Sequence, residues 1–281
     1  MRIMITGGKG MLGRTLCRTL ALHELHVADL PETDITSPSA IDTTIRDFKP
    51  AAVIHAAAMT AVDACQTNPD LAFKVNAVGS ANVAAACHRH KARLIALSTD
   101  YVFDGVLPRP YHEWDIPAPR TVYGASKRAG EQAIQTLCPN HLILRIAWLY
   151  GPGGPSFLHT MLKLGVTPGA PIKVVQDQVG NPTSTDAVAG LIERLLVEPV
   201  AGILHGSCEG ECSWHDFACA IFRHQPGRRE VIPCSTAEFP RPAPRPANSR
   251  LEKRLLRLLG MAPMPDWRET LDRFFKDHPS L

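Results

Sequence analysis

Nowhere in the 281-residue sequence do about 18 apolar residues run together, so no segment is suited to cross a membrane as a helix. The apolar start Met1-Arg2-Ile3-Met4-Ile5-Thr6 gives way to glycines too early for a signal peptide, and a cytoplasmic protein is expected. Neither sign of charge dominates: 30 lysines and arginines stand against 27 acidic residues, a net charge of +3. That balance gives no argument for a nucleic-acid binder, whereas a small anionic substrate needs only a local basic patch. The 12 histidines show no His-Glu-x-x-His or comparable spacing, which argues against a protein-built catalytic zinc. None of the eight cysteines forms a Cys-x-x-Cys pair; Cys208 and Cys212, four apart, lack histidine ligands in a motif. They read as reduced thiols, several of them buried. Core material is plentiful instead. Hydrophobic residues make up 45% and charged residues 20%, which excludes a mostly disordered chain. The length suits two domains, or one large α/β unit with an appendage.

Short apolar runs at Arg2–Thr6, Leu25–Leu30, Ala52–Ala56, Arg93–Ser98 and Leu142–Ala147 read as buried strands of a parallel sheet. Helical patterns lie between them: Met11–Leu22, with Leu12, Leu16 and Leu20 four apart; the long alanine-rich Pro69–His90; and Thr121–Leu137. This alternation predicts a doubly wound, Rossmann-type α/β sheet. The texture changes at the breaker cluster Gly151-Pro152-Gly153-Gly154-Pro155. Residues 1–150 are therefore expected to form the dinucleotide-binding unit, with later segments returning to it. Residues 151–281 mainly form a smaller, interleaved substrate lobe. Within that lobe, helices are expected at Phe157–Leu164, Thr185–Leu196, Ser249–Leu259 and Trp267–Lys276, and a strand at Ile172–Val175. The prolines at 240, 242, 244 and 246 forbid regular structure across Phe239–Asn248.

Thr6-Gly7-Gly8-Lys9-Gly10-Met11-Leu12-Gly13 lies between the first strand and the first helix. Gly8, Gly10 and Gly13 satisfy G-x-G-x-x-G; Gly7, Gly10 and Gly13 satisfy G-x-x-G-x-x-G. In either spacing the first glycine makes the tight turn, Gly10 admits a pyrophosphate, and Gly13 lets helix and strand pack closely. The helix N-terminus then offers free N–H groups to phosphates. Sixteen residues beyond Gly13, Asp29 ends the second strand, where a carboxylate can accept from the adenine ribose. Its charge repels a 2′-phosphate and leans towards NADH, nearby basic residues lean the other way, and the cofactor is NADPH or NADH. A plain strand-end aspartate is the alternative.

In Tyr123-Gly124-Ala125-Ser126-Lys127 a tyrosine and a lysine share one helix face at i and i+4. A neighbouring ammonium lowers a phenol's pKa, so the pair is suited to proton transfer near neutral pH. Upstream, Leu97-Ser98-Thr99-Asp100-Tyr101-Val102-Phe103 leaves the C-terminal end of the fourth strand, the edge where open α/β sheets bind ligands. Tyr101 and Asp104 read as structural.

With these motifs in this order, the chain resembles the extended short-chain dehydrogenases/reductases, and more closely the dTDP-4-dehydrorhamnose reductase family. Further matching segments are His55-Ala56-Ala57-Ala58-Met59-Thr60-Ala61-Val62-Asp63, Gly130-Glu131, Leu144 to Gly151, Asp177 to Thr185, and Arg245-Pro246-Ala247-Asn248-Ser249. The resemblance implies reduction of the 4-keto group of a dTDP-4-keto-6-deoxy-L-sugar to dTDP-L-rhamnose, for cell-envelope polysaccharide or glycoside synthesis. By it, Tyr123 donates the proton, Lys127 holds the nicotinamide ribose and tunes Tyr123, and Thr99 bonds near the reacting oxygen. Asp100 and Trp148 help to hold the sugar, and Arg245 meets the diphosphate. Gly10, Met11, Leu12, Asp29, Asp34 with Ile35, and Ala58, Met59 and Thr60 contact the cofactor. Each has a plainer alternative: core packing for Trp148, a capped loop for Asp34-Ile35-Thr36, a strand end for Ala56–Thr60, a solvated surface arginine for Arg245. Some family members hold magnesium at a dimer contact through acidic residues. Here Gly13-Arg14-Thr15 sets an arginine at that place, no metal ligand is assigned, and magnesium stays open, as does monomer against homodimer. Two other functions remain: reduction of another dTDP-4-keto-deoxyhexose, and a non-catalytic dinucleotide-binding subunit like the regulatory subunit of methionine adenosyltransferase.

Overall fold

The structure, a computed structural model, describes residues 1–225 and 229–279. Its strands are β1 (Arg2–Thr6), β2 (Glu24–Ala28), β3 (Ala52–His55), β4 (Arg93–Thr99), β5 (His141–Ile146), β6 (Leu149–Tyr150), β7 (Ile172–Val175), β8 (Val179–Gly180), β9 (Thr183–Ser184), β10 (Gly202–His205), β11 (Cys212–Ser213) and β12 (Val231–Cys234). The helices are α1 (Met11–Thr19), α2 (Pro38–Phe48), α3 (Val62–Thr67), α4 (Pro69–Phe73), α5 (Ser80–Arg89), α6 (Val122–Leu137), α7 (Phe157–Val166), α8 (Thr185–Leu195), α9 (Trp214–Arg223), α10 (Arg254–Leu258) and α11 (Trp267–Asp277).

Six parallel strands in the order β10-β5-β4-β3-β1-β2 form the central sheet. The five runs expected from the sequence are its first five strands, each within two residues of its expected ends. β3 is buried throughout and β1, β4 and β5 at all but their first residue, because helices cover both faces. On one face, Leu12 and Leu16 of α1 pack with Val188, Leu191, Ile192 and Leu195 of α8. On the other, Ile41 and Ile45 of α2 pack with Val83, Ala84 and Cys87 of α5 and Ile134 of α6. The chain therefore folds as a doubly wound α/β sheet. The sixth strand, β10, and helix α8 come from the second half of the chain and complete this layer.

A second core gathers Leu158 and Met161 of α7, Phe217 and Ile221 of α9, and Leu271 and Phe274 of α11 around Tyr150 and Trp267. The expected Pro69–His90 helix is one helical run, α4 to α5, but with a π-helical turn at Lys74–Gly79. The expected helix at Ser249–Leu259 shrinks to α10. Before it the chain runs extended, with Leu251 bridged to Tyr111 and its N–H donated to Asn181 Oδ1 at 2.7 Å. Helices α2 and α9 were not expected, although Ser37-Pro38 and the capping box of Ser213 with Asp216 mark their starts. Among the described residues no helix is long and apolar enough to cross a membrane.

One buried ion pair ties α6 to the sheet. Arg145 on β5 donates through Nε and Nη2 to the two oxygens of Glu131, both at 2.8 Å, and both side chains are fully buried. Burial alone would raise the Glu131 pKa; the bonds from Arg145, Ser98 and Arg128 outweigh it and hold the carboxyl low. Glu131→Gln leaves the Arg145 charge uncompensated and should cost about 3–5 kcal/mol in urea unfolding, whereas Glu131→Leu with Arg145→Met should cost far less.

Candidate functional site

β1 ends in the glycine loop, and α1 begins at Met11 with Gly10 as its N-cap. Gly7 adopts φ +69°, and a Cβ there would lie 2.7 Å from the Ala57 backbone. A Cβ at Gly13 would lie 2.3 Å from the Gly7 carbonyl oxygen, so α1 packs against the loop only because residue 13 is glycine. The working spacing is thus Gly7, Gly10, Gly13. The N-cap Gly10 brings no side chain to the first amides of α1, which face a cavity of about 830 Å³. Arg14 turns back and donates to the Lys9 carbonyl at 2.8 Å.

This cavity opens along the C-terminal ends of β1, β3 and β4, where the strand order reverses. Gly7, Gly10, Met11, Leu12 and Gly13 line it at one end. Asp29 lines it too, just past β2; Oδ2 accepts from the Lys9 N–H at 2.8 Å and Oδ1 from the Leu30 N–H at 2.8 Å. Lys9 itself pairs with Glu32 at 2.9 Å. Asp34 and Ile35 reach the same wall, and Asp34 also accepts from the Thr36 N–H. Ala58 and Thr60 line the middle of the cavity. Met59 does not; its backbone is clasped by Asn76, whose side chain accepts from the Met59 N–H at 2.8 Å and donates to its carbonyl at 3.0 Å.

At the far end stand Thr99, Asp100, Tyr123, Lys127 and Trp148. Thr121 caps α6 by accepting from the Gly124 N–H, so Tyr123 and Lys127 lie in the first two turns, both buried. The Lys127 ammonium donates to the Leu97 carbonyl at 2.8 Å. Burial lowers its pKa to about 8, with Glu131 pulling the other way. The phenol of Tyr123 departs from the sequence reading. Burial drives its pKa up, against a hydrogen bond from Thr99, and the lysine does not reverse that shift. Tyr123 is therefore fully protonated at neutral pH. Thr99 Oγ1 donates to Asp100 Oδ1 at 3.0 Å. Burial raises the Asp100 pKa to about 6, opposed by hydrogen bonds from Ser249 and Thr99.

A second cavity, of about 570 Å³, adjoins the first and shares Tyr101, Phe157 and Trp214 with it. Lys173, Arg229, Arg241 and Arg245 stand on its walls. Arg245 is thus away from the first cavity, and it is not a free surface arginine. Its guanidinium grips Asp63 with two bonds, Nη1 to Oδ1 at 3.0 Å and Nη2 to Oδ2 at 2.8 Å. Among the described residues no group of three His, Cys, Asp or Glu side chains could hold a metal ion.

Sequence reasoning passed over Asn76, His55 and Trp214. Thr6 bonds His55 Nδ1 at 2.7 Å, and His55 Nε2 bonds Ser80 Oγ at 3.0 Å. Ser80 Oγ donates to the Asn76 carbonyl, so His55 Nε2 carries the proton and Nδ1 accepts from Thr6. Burial lowers the His55 pKa to about 3, with Lys127 adding to the effect, so the ring is neutral. Asn76 donates on to Ser126 at 3.0 Å. The chain of bonds runs from β1 to α6 behind the cavity. A polar residue inside an apolar helix was its only sequence signal.

The description "RmlD substrate binding domain" belongs to a family model that matches residues 1–279. A probable dTDP-4,6-dihydroxy-2-methyloxan-3-one 4-ketoreductase of Streptomyces antibioticus is 44% identical, over 99% of this chain and 95% of that protein. The dTDP-4-dehydrorhamnose reductase of Mycobacterium tuberculosis is 42% identical, over 96% and 91%. The crystal structure of dTDP-4-dehydrorhamnose reductase from Bacillus anthracis in complex with NADP superimposes with a TM-score of 0.95 at 40% identity, covering 98% of this chain and 99% of that one.

Gly10→Val sets a branched side chain where a pyrophosphate must approach. The protein should still unfold cooperatively, and the rise in Tm that NADPH gives the wild type should disappear; an undiminished rise would remove the loop from the cofactor site.

Proposed function

Because the chain belongs to the RmlD substrate binding domain family, which holds the dTDP-4-dehydrorhamnose reductases, we propose that it reduces the 4-keto group of dTDP-4-dehydro-6-deoxy-L-mannose to give dTDP-L-rhamnose. It is an oxidoreductase, and its cofactor is a nicotinamide dinucleotide. The observation that carries the reading is the convergence of Tyr123, Lys127 and Thr99 on one wall of a cavity whose other end is the glycine loop. The cavity fits the cofactor: the amides of α1 suit a diphosphate, Gly7 and Gly13 let the loop and helix pack closely, and Gly10 leaves the backbone bare where the diphosphate must approach.

When bound, the reduced nicotinamide supplies the hydride that reaches C4 of the sugar. The protein does the rest. Lys127, held on the Leu97 carbonyl, presents a cation to the nicotinamide ribose and to the phenol. Tyr123 keeps its proton until negative charge grows on the sugar O4, then donates it, so ketone plus hydride plus proton becomes a secondary alcohol. Thr99 bonds near that oxygen, and Asp100 and Trp148 hold the ring. The nucleoside diphosphate fits the second cavity, where Arg229 and Arg241 supply positive charge beside the aromatic Phe239 and Lys173 is paired with Glu238 at 3.1 Å. Arg245 acts there with its fork fixed by Asp63, as a wall rather than a free clamp.

Asp29 favours NADH by repelling a 2′-phosphate, while Lys9 beside it is neutralised by Glu32. Asp29→Ala should raise kcat/KM with NADPH relative to NADH; an unchanged ratio would leave Asp29 as a strand-end residue. A second reading, reduction of another dTDP-4-keto-deoxyhexose, is favoured by the 44% identity to the Streptomyces antibioticus ketoreductase.

Tyr123→Phe removes one hydroxyl and should lower turnover of dTDP-4-keto-L-sugar by about 10²–10⁴-fold, with cofactor titration near wild type. Lys127→Met should lose both. Wild-type kcat/KM should fall above pH about 8, because the buried ammonium is charged only below its lowered pKa. Undiminished turnover in Tyr123→Phe would refute the mechanism. Tight cofactor binding without turnover in the wild type would point to a non-catalytic subunit.

A further inference from the structure

Trp148 and Trp214 form a face-to-face stack, with ring centroids 3.4 Å apart and planes within 4°. They come from segments 66 residues apart in the chain. Trp148 follows β5 at the end of the central sheet, in a left-handed backbone conformation with φ +47° that only a surrounding structure can impose on a bulky residue. That structure is visible: the Trp148 carbonyl accepts from the Thr183 N–H at 3.1 Å, and a Cβ at Gly180 would meet the indole at 2.3 Å. Trp214 opens α9 in the smaller lobe. Its backbone is pinned by the capping box of Ser213 and Asp216, and its ring by Phe157 at 4.5 Å.

The position of the stack matters. Trp148 lines the first cavity, whereas Trp214 lines both cavities, at their junction with Tyr101 and Phe157. A nucleotide sugar with its keto carbon at Tyr123 and its diphosphate in the second cavity must pass this point. We propose that Trp214 is a positioning residue that fixes the plane of Trp148 and thereby seats the hexose over Tyr123. The inference rests on the dTDP-keto-sugar reductase reading. Its physical basis is that an indole can slide or tilt unless both its backbone and one ring face are held. With Trp214 stacked on it and Gly180 packed against it, the part of the Trp148 indole that lines the first cavity becomes a fixed apolar wall for the C–H side of a deoxysugar.

The test compares Trp214→Leu, which stays apolar and loses the flat face, with Trp214→Phe, which keeps an aromatic face. In both, the exciton couplet of the stacked indoles in circular dichroism should vanish. Trp214→Leu should raise KM for the dTDP-4-keto-L-sugar about tenfold, with a smaller change in kcat. Trp214→Phe should stay much closer to wild type. NADPH affinity, and inhibition by dTDP, which lacks the hexose, should be unchanged in both variants. Equal KM values in all three proteins would overturn the proposal, as would equal rises in the Leu and Phe variants. A parallel weakening of dTDP or NADPH would also overturn it, by showing general disruption or direct contact with the nucleotide. A wild-type enzyme inactive on every dTDP-4-keto sugar would defeat the functional reading itself, and the proposal with it.

Discussion

A carboxylate buried on α6 governs the geometry of the cleft. Glu131 accepts from Ser98 on β4 at 2.6 Å, from Arg145 on β5 through two bonds, and from Arg128 one turn back on its own helix. These bonds fix how far α6 lies along the sheet. Tyr123, Lys127 and Glu131 are four residues apart and so share one helix face. Fixing the last of them fixes the other two. A slip of one turn, about 5.4 Å, would carry the phenol away from Thr99 and the ammonium away from the Leu97 carbonyl. The family motif is usually read as a tyrosine and a lysine; in this fold it is a three-residue stripe whose third member supplies the anchor.

The same burial that makes the anchor strong sets the charge states in the cleft. Removing water pushes Tyr123 up, Lys127 down and Asp100 up, each towards its neutral form. For a reductase this suits the task. The tyrosine must enter the reaction protonated, and a phenolate-stabilising lysine would work against that in the resting enzyme. The ammonium becomes useful when negative charge appears on the sugar oxygen and passes to the phenol. In the proposed mechanism Lys127 therefore stabilises the deprotonated product of the step, and the raised phenol gives no support to pre-ionisation of the donor, the emphasis drawn from the spacing alone.

The parts of the molecule legible in the sequence were those written in local pattern. Apolar runs gave five strands, the glycine spacing gave the loop, and the i, i+4 pair gave the helix face. What stayed hidden was set by contacts between distant segments. β10 is four residues long and carries glycine at its start, so nothing local marks it as the sixth strand of the sheet. The pairing of Arg245 with Asp63 joins positions 182 apart, and the arginine alone reads equally well as a ligand or a solvated side chain. Asn76 is visible as a polar residue in an alanine-rich run, but its grip on Met59 depends on the π-helical turn that aims it. Trp214 belongs to a helix whose start signals were present and overlooked.

This division of information also explains why chemistry is easier to assign than substrate. The groups proposed to react, Thr99, Tyr123 and Lys127, sit on β4 and α6, whose placement is dictated by short motifs and one buried ion pair. Trp148, Trp214, Phe157, Tyr101 and the cations of the second cavity, which the proposed function gives to the sugar and nucleotide, come from segments far apart in the chain. A relative that reduces a differently substituted 4-keto sugar can keep the first set unchanged and alter only the second. The choice between such sugars rests on which hydroxyls and methyl groups the aromatic junction accepts, because an apolar floor discriminates weakly by one methyl group and strongly only where a polar group is left unpaired. Asp100, buried beside Thr99 in the first cavity, is the group whose hydrogen bonding a sugar hydroxyl would have to satisfy in the proposed mechanism.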